Sequence, residues 1–303
     1  MGKSPVQGAA SQDRIAEGHF KSLLMSTPEQ YEVVYEINPW MDLRRGIDKA
    51  LALRQWKELY RTLAEEIGAN VQLISPVPAL PDLVFTANAG FVVGRTFIAS
   101  NFRHHQRAKE EPYWETWFKS AGFDVVRLPT GLRFEGEGDL LPAGELLVGG
   151  YRFRSDLEAV RQVADLVGGE ALPLELADPW FYHLDTCFCP LTKDIIMYYP
   201  GAFTASGRNI IMDRFPNAIA VGLEEANRFV CNSITIDRHV VMSCHCPAAR
   251  RELQVWDFVV HEVNVSEFLK AGGGAKCLVL FLERAKAAKG VDMPHARPSA
   301  IKL

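Results

Sequence analysis

The sequence predicts an α/β fold in a single domain assembled from a repeated ββαβ-like unit. Two observations carry this prediction: short apolar strands arrive in twos and threes between single helices, roughly every 45–60 residues, and no linker-like stretch breaks the rhythm. A third fits both, since 303 residues that are 48% hydrophobic and 23% charged suffice for one sizeable core. Residues 1–18, small and polar, read as a loose N-terminal arm, leaving 19–303 as the domain. A net charge of -4 supplies no basic field, so neither nucleic acid nor an anionic membrane is an expected partner; a small solute is. The six cysteines, at 187, 189, 231, 244, 246 and 277, form no secreted-type framework and no apolar signal segment precedes them, so they read as reduced, cytoplasmic thiols. The opening MGKSPV lacks the serine or threonine that an acylation signal needs at Val6, which argues against a lipid anchor.

Taken in order, YEVVYEI at 31–37 alternates as a strand does and ends at Asn38-Pro39, where the residue before proline is held extended. Residues 43–67 repeat apolar side chains at helical spacing through Ile47, Leu51, Trp56, Leu59 and Leu63, until Gly68 stops the helix. A strand at 71–75, a turn stiffened by Pro76, Pro78 and Pro81, and a strand at 83–86 follow. After the break Asn88-Ala89-Gly90, two strands at 90–93 and 96–100 lie close together. The next round has a helix at 109–121 with Trp114, Trp117 and Phe118 inward, then a strand at 124–128. A third runs from FEGEGDLL at 134–141 through a strand at 145–148 and the turn GGYRFRSD at 149–156 into a helix ending near Val167. Another begins at Ala171 and takes in HLDTCFCPL at 183–191, a strand at 194–199 and a polar connection. Strands at 218–223, 231–236 and 239–242 precede a helix over 248–258. Last comes FLKAGGGAKCLVLFLE at 268–283, where the run 278–282 reads as a buried strand.

The candidate chemistry gathers at strand ends. Gly272, Gly273 and Gly274 carry no Cβ, so another molecule can approach the backbone closely just before Cys277. A thiol there attacks a bound electrophile once ionised, helped by Lys276 or a protonated histidine; the plainer alternative is a small buried core residue. Glu135, Glu137 and Asp139 fall on alternate positions, so in an extended chain they point to one side and need a cation, for which a planar guanidinium is well matched. A solvated acidic turn is the alternative. In His183-Leu184-Asp185, alternation puts imidazole and carboxylate on one face, where the histidine is a candidate proton donor; a structural pair is the alternative. Cys187-Phe188-Cys189 and Cys244-His245-Cys246, with His183, suggest a zinc site, but one residue between cysteines is tighter than the usual two to four. The turns bearing Arg103 and Arg107, and Arg152 and Arg154, follow strands closely and suit a carboxylate clamp, though surface arginine explains any one of them.

The order of these pieces resembles the guanidine-modifying enzymes, which include arginine deiminase, dimethylargininase, amidinotransferases and arginine dihydrolase. PDLVFTAN at 81–88 is similar to the family's first substrate-side turn, FEGEGD at 134–139 to its acidic segment and FRSD at 153–156 to its carboxylate-clamping turn. HLD at 183–185 is similar to its histidine–aspartate strand, and GGGAKC at 272–277 to its C-terminal nucleophile. The resemblance spans about residues 31–284. It implies the pentein fold, a five-bladed α/β propeller of pseudo-fivefold ββαβ repeats around a central pocket.

It also implies a mechanism. Cys277 attacks the guanidinium carbon, His183 protonates the departing amine, and a water activated by His183 resolves the adduct. Glu135 and Asp185 hold the guanidinium nitrogens, Arg154 and Arg107 the α-carboxylate, and Asp139, Phe85 and Gly274 complete the substrate-binding set. No metal or organic cofactor is implied, the partner is a small guanidino compound, and self-association into a homo-oligomer stays open. Where many deiminases have aspartate, this chain has Asn88, and Asn38 in INPWM also fits the dihydrolase branch. Aspartate only accepts hydrogen bonds, whereas asparagine also donates, as the carbonyl oxygen of a ureido intermediate requires. Either asparagine also suits a plain turn. The expectation is therefore an arginine dihydrolase giving ornithine, ammonia and carbon dioxide. The alternatives are a dimethylargininase or arginine deiminase giving citrulline, then an amidinotransferase and, in a different class, a non-enzymatic zinc-binding protein.

Overall fold

Five three-stranded sheets share one pairing rule: in each, a middle strand lies between an antiparallel and a parallel neighbour. The computed structural model describes residues 22–283; the expected arm at 1–18 lies outside them. One sheet joins β1 (Ser22–Ser26), β2 (Asn70–Ile74) and β15 (Leu280–Phe281), and a second β3 (Gly90–Val93), β4 (Thr96–Ala99) and β5 (Asp124–Val126). A third joins β6 (Leu140–Ala143), β7 (Leu146–Tyr151) and β8 (Glu170–Glu175), and a fourth β9 (Phe188–Pro190), β10 (Ile195–Tyr198) and β11 (Asn217–Ala220). The fifth joins β12 (Ile234–Ile236), β13 (His239–Ser243) and β14 (Val259–Val263). Parallel neighbours need a crossover, and each middle strand reaches its parallel partner through a helix: Lys49–Arg61, Glu111–Ser120, Leu157–Val167, Ala205–Arg214 or Pro247–Val255. The ββαβ unit read from the sequence is thus present. One unit is assembled from both ends of the described chain, since β15 pairs antiparallel with β1.

The helices face their sheets through short apolar stripes. Leu157–Val167 buries Ala159, Val160, Val163 and Ala164 against Leu147, and Glu111–Ser120 buries Trp114 and Phe118, the latter stacked on Phe97 at 3.5 Å between centroids. Each buried valine or phenylalanine among them contributes about 1.5–3 kcal/mol through burial, and each alanine less. Trp117, expected on the same face, is only partly buried. Lys49–Arg61 starts where Asp48 accepts from Leu51 N–H at 2.9 Å, shorter than the 43–67 expected, with a π-helical turn Thr62–Glu66 carrying it to Gly68.

Several segments differ from the sequence reading. Residues 31–37 form no strand; their burial alternates, but the segment pairs with no sheet, so alternation reported which side is covered rather than a ladder. Residues 83–86 and 183–186, expected extended, belong to tight 3-10 turns, Pro81–Val84, Thr86–Ala89 and Leu184–Thr186. The helix Ala205–Arg214 went unseen because it buries only Gly207 and Ile211, too few to mark a stripe. β1 and β14 were likewise unread.

Candidate active site

The turns just before the first strand of each unit carry the chemistry. Thr86–Ala89 precedes β3, Gly136–Gly138 precedes β6, Leu184–Thr186 precedes β9 and Lys276–Leu278 precedes β15, and several of them pack on one another. The acidic segment is not extended, as its alternation suggested. Gly136, at φ 59°, folds it into a 3-10 turn, so its three carboxylates diverge: Glu135 and Asp139 go one way and Glu137 another.

Around the thiol, Cys277 Sγ lies 3.4 Å from Asp185 Oδ2, both groups buried. Burial pushes Asp185 up to about 7, against the opposing pull of Lys276 and the hydrogen bonds from Cys277 and Asn232. Burial and the Asp185 charge also push the thiol well above its ordinary range, opposed by the Gly274 backbone, Lys276 and Asn232. Lys276 turns its ammonium to Glu137 at 2.8 Å and to Val279 O at 3.0 Å, so its charge acts on the sulfur from a distance. Breaking that buried pair would strand a charge, at about 3–5 kcal/mol.

The histidine is held from behind. His183 Nε2 meets Glu135 Oε2 at 2.8 Å, and the same oxygen accepts from Arg154 at 3.0 Å, while Glu135 Oε1 accepts from Arg103 N–H. Burial raises Glu135, but Arg154 and then His183 outweigh it and hold the carboxyl well below the usual range. Asp139 ties two turns together, accepting from Ser155 Oγ at 2.7 Å and Leu184 N–H at 3.1 Å; burial lifts it to about 6 in spite of His183 and Ser155.

Between these groups is a cavity of about 10 Å³, room for little more than a water. Of the residues expected from sequence, Asn38, Phe85, Asn88, Arg107, Arg154 and Cys277 line it; His183, Glu135, Asp139, Asp185 and Gly274 are not among its lining residues. Asn88 Oδ1 accepts from Arg107 at 2.6 Å and its Nδ2 donates to Glu135 O at 3.3 Å, which fixes the amide's orientation. Asn38 donates to Ala271 O at 3.0 Å and accepts from Trp40 N–H. Arg107 makes a two-bonded ion pair with Glu110, at 2.8 and 3.0 Å, in full burial. Arg154 donates to Ile37 O and lies over the Tyr182 ring at 4.6 Å.

Three participants were missed. Asp82, in the same turn as Phe85, is buried, accepts from Tyr35 Oη at 3.0 Å and lines the cavity. Its carboxyl is raised by burial, with Arg107 opposing. Tyr182 donates to Gly272 O at 2.7 Å. Asn232 binds Cys277. Its signal was position: like Asn88, it stands two residues before the first strand of its unit. Among the described residues, Asp82 Oδ1 and Asp185 Oδ1 are buried carboxylate oxygens without a hydrogen-bond partner.

The ligands of the zinc alternative do not converge: Cys187 points at the carbonyls of His183 and Leu184, Cys189 at that of Ser233 and Cys246 at that of Cys244. Among the described residues no group of three or more histidine, cysteine, aspartate or glutamate side chains is arranged to hold a metal ion, and no helix is long and apolar enough to cross a membrane.

No protein-family model matches the chain. It is 43% identical over 265 residues to the bifunctional arginine dihydrolase/ornithine cyclodeaminase ArgZ of Synechocystis sp., an alignment covering 85% of this chain and 37% of ArgZ. The chain therefore spans little more than a third of that relative's length. It is 38% identical over 256 residues to the N(G),N(G)-dimethylarginine dimethylaminohydrolase of Mycobacterium tuberculosis, covering 84% of each. Among solved structures, the N-terminal domain of ArgZ bound to product superposes with a TM-score of 0.84 at 40% identity, over 88% of this chain and 99% of that one. A variant of that domain with an asparagine changed to serine, solved covalently bound to a reaction intermediate, superposes equally well.

Proposed function

The chain belongs to the guanidine-modifying superfamily that includes dimethylarginine dimethylaminohydrolase and arginine dihydrolase, and on that premise we propose that it is an arginine dihydrolase acting through a covalent Cys277 adduct. One observation carries the reading: the nucleophile candidate sits among buried carboxylates, two of whose oxygens, on Asp82 and Asp185, are left for a ligand's donors. A guanidinium and an α-ammonium, the two cationic ends of arginine, supply such donors.

In this reading Asp185 binds the guanidinium and Asp82 the α-ammonium, while Arg107 and Arg154 hold the α-carboxylate. Glu135, already bonded to His183 and Arg154, acts by orienting the imidazole. Burial keeps the resting thiol protonated; the arriving cation offsets that and favours the thiolate, which attacks the guanidinium carbon. His183 protonates the departing ammonia and then takes a proton from the water that splits the thiouronium adduct, leaving the ureido product. A second cycle on that product, with Asn88 and Asn38 donating to its oxygen, releases the second ammonia and the carbamate that decomposes to carbon dioxide. In sum, arginine and two waters give ornithine, two ammonia and carbon dioxide. The five sheets are then the blades of a propeller around this pocket, with 19–303 a single catalytic domain, and the reduced thiols suit a cytoplasmic setting.

Ammonia counted per arginine tests the reading, with two and ornithine expected from the parent. Asn88→Asp replaces a donor by an acceptor opposite the ureido oxygen, a buried mismatch of about 1–3 kcal/mol, or roughly ten- to hundredfold in rate. That variant should release citrulline and about one ammonia. If parent and variant both stop at citrulline, the enzyme is a deiminase; if only methylated arginine is consumed, it is a dimethylargininase.

A further inference from the structure

We propose that Asn232 is a positioning residue for the nucleophile: its amide fixes the Cys277 sulfur and donates a hydrogen bond to it once it is ionised. The proposal rests on the reading of Cys277 as nucleophile. Asn232 is fully buried and its amide is committed at both atoms. Oδ1 accepts from the Cys277 backbone N–H at 3.1 Å; Nδ2 donates to Asp185 O at 3.1 Å and stands 3.1 Å from Cys277 Sγ. These partners fix the orientation. A flipped amide would set N–H against the N–H of Cys277 and oxygen against the carbonyl oxygen of Asp185. The second Nδ2 hydrogen therefore faces the sulfur.

The backbone reinforces this placement. Lys276 N–H donates to Asn232 O at 3.2 Å, and Asn232 N–H donates to Phe229 O at 2.9 Å from a turn that puts Phe229 in the left-handed region, φ 59°. Asn232 thus couples the turn that carries Asp185 to the turn that carries Cys277.

Ionisation changes what the sulfur needs. As a thiol, Cys277 donates to Asp185 Oδ2 at 3.4 Å. As a thiolate it has lost that hydrogen and faces a carboxylate oxygen, while the Lys276 ammonium is turned to Glu137. Among the described residues, the Asn232 amide is then the side-chain donor within hydrogen-bond distance of the anion. A hydrogen bond to an anion is roughly twice as strong as one to a neutral acceptor, so this contact favours the thiolate and its attack.

The test reads the thiol without substrate: the rate of Cys277 alkylation by iodoacetamide against pH, followed by mass spectrometry of the Cys277 peptide. Asn232→Ala should move the midpoint up by about one unit, and lower kcat for arginine by about ten- to hundredfold with KM within about threefold. Asn232→Asp keeps the acceptor for Cys277 N–H but sets a second carboxylate at the sulfur, and should move the midpoint further. Gly274→Ala reaches the same contact differently, because its Cβ would stand 2.7 Å from Asn232 Oδ1 and displace the amide. If Asn232→Ala does not fold, Asn232→Asp decides, since Gly274 also acts on the thiol through its own backbone. A midpoint within about 0.2 units of the parent in a folded variant overturns the proposal, whatever happens to kcat. If the midpoints shift but the parent leaves arginine unchanged, the substrate reading fails and the Asn232 role stands.

Discussion

In the proposed binding mode, Asp185 links pH to binding. Its carboxyl is raised to about 7 by burial, so below that pH the unoccupied site holds a proton there. A guanidinium must displace that proton. Affinity is therefore full above about pH 7 and falls by up to tenfold for each unit below it, the direction set by a raised, not depressed, carboxylate. Calorimetry on Cys277→Ser, which binds without turnover, should show arginine affinity weaker at about pH 5.5 than at about pH 8 by more than tenfold, with protons released on binding. Equal affinities at the two pH values would remove Asp185 from the guanidinium contact. Asp185 itself was legible in the sequence, as were Cys277, His183 and Glu135, because each sits in a short motif of unusual composition. Asn232 and Asp82 were not: an asparagine among CNSITI and an aspartate in a proline-rich turn look like ordinary turn chemistry until the fold buries them.

At the scale of an element, the acidic turn depends on one glycine. Gly136 is in the left-handed region, and a Cβ there would stand 2.6 Å from Gly90 O, 2.7 Å from Gly90 N and 2.8 Å from Ala87 O, backbone atoms that cannot swing aside. Gly136→Ala should cost more than about 3 kcal/mol and lower the melting temperature by about 5 °C or more. Gly46→Ala, whose Cβ meets nothing within 4 Å, should change stability by less than about 0.5 kcal/mol. Equal melting temperatures for the two variants would show that the turn can be rebuilt without a glycine. The sequence reading placed this turn between the right strands but took its alternating acids as extended, since period-two spacing does not distinguish a strand from a glycine-broken turn. The same ambiguity hid the 3-10 turns at Thr86 and Leu184. By contrast, β3 and β4 were legible because glycine and threonine punctuate them sharply.

Across the whole molecule, the repeat was readable because each unit opens with strands and carries a single helix, whereas the pairing of β15 with β1 was not, since it joins residues more than two hundred positions apart. The segment around 33–46 was misread for a similar reason: its partners are distant. Ile37 O accepts from Arg154, Asn38 donates to Ala271 O, and Trp40 donates to Trp180 O at 2.7 Å while packing edge-on against Trp180 and Phe229. Ile37, Asn38 and Met41 of this segment line the cavity beside Cys277, and Trp40 stands between them in the chain. A segment held there bears on how a ligand enters and leaves rather than on the reacting atoms. In the proposed two-step hydrolysis the yield of ornithine is a race between the second chemical step and the escape of the half-reacted molecule, and the tryptophan contact, which touches no reacting group, bears on the escape. Trp40→Ala should raise the fraction of citrulline lost per turnover several-fold while leaving the first ammonia nearly on schedule; an unchanged product ratio would mean that the ureido compound is kept by affinity alone. Such an enzyme sets its product by residence time as much as by the groups that touch the reacting carbon.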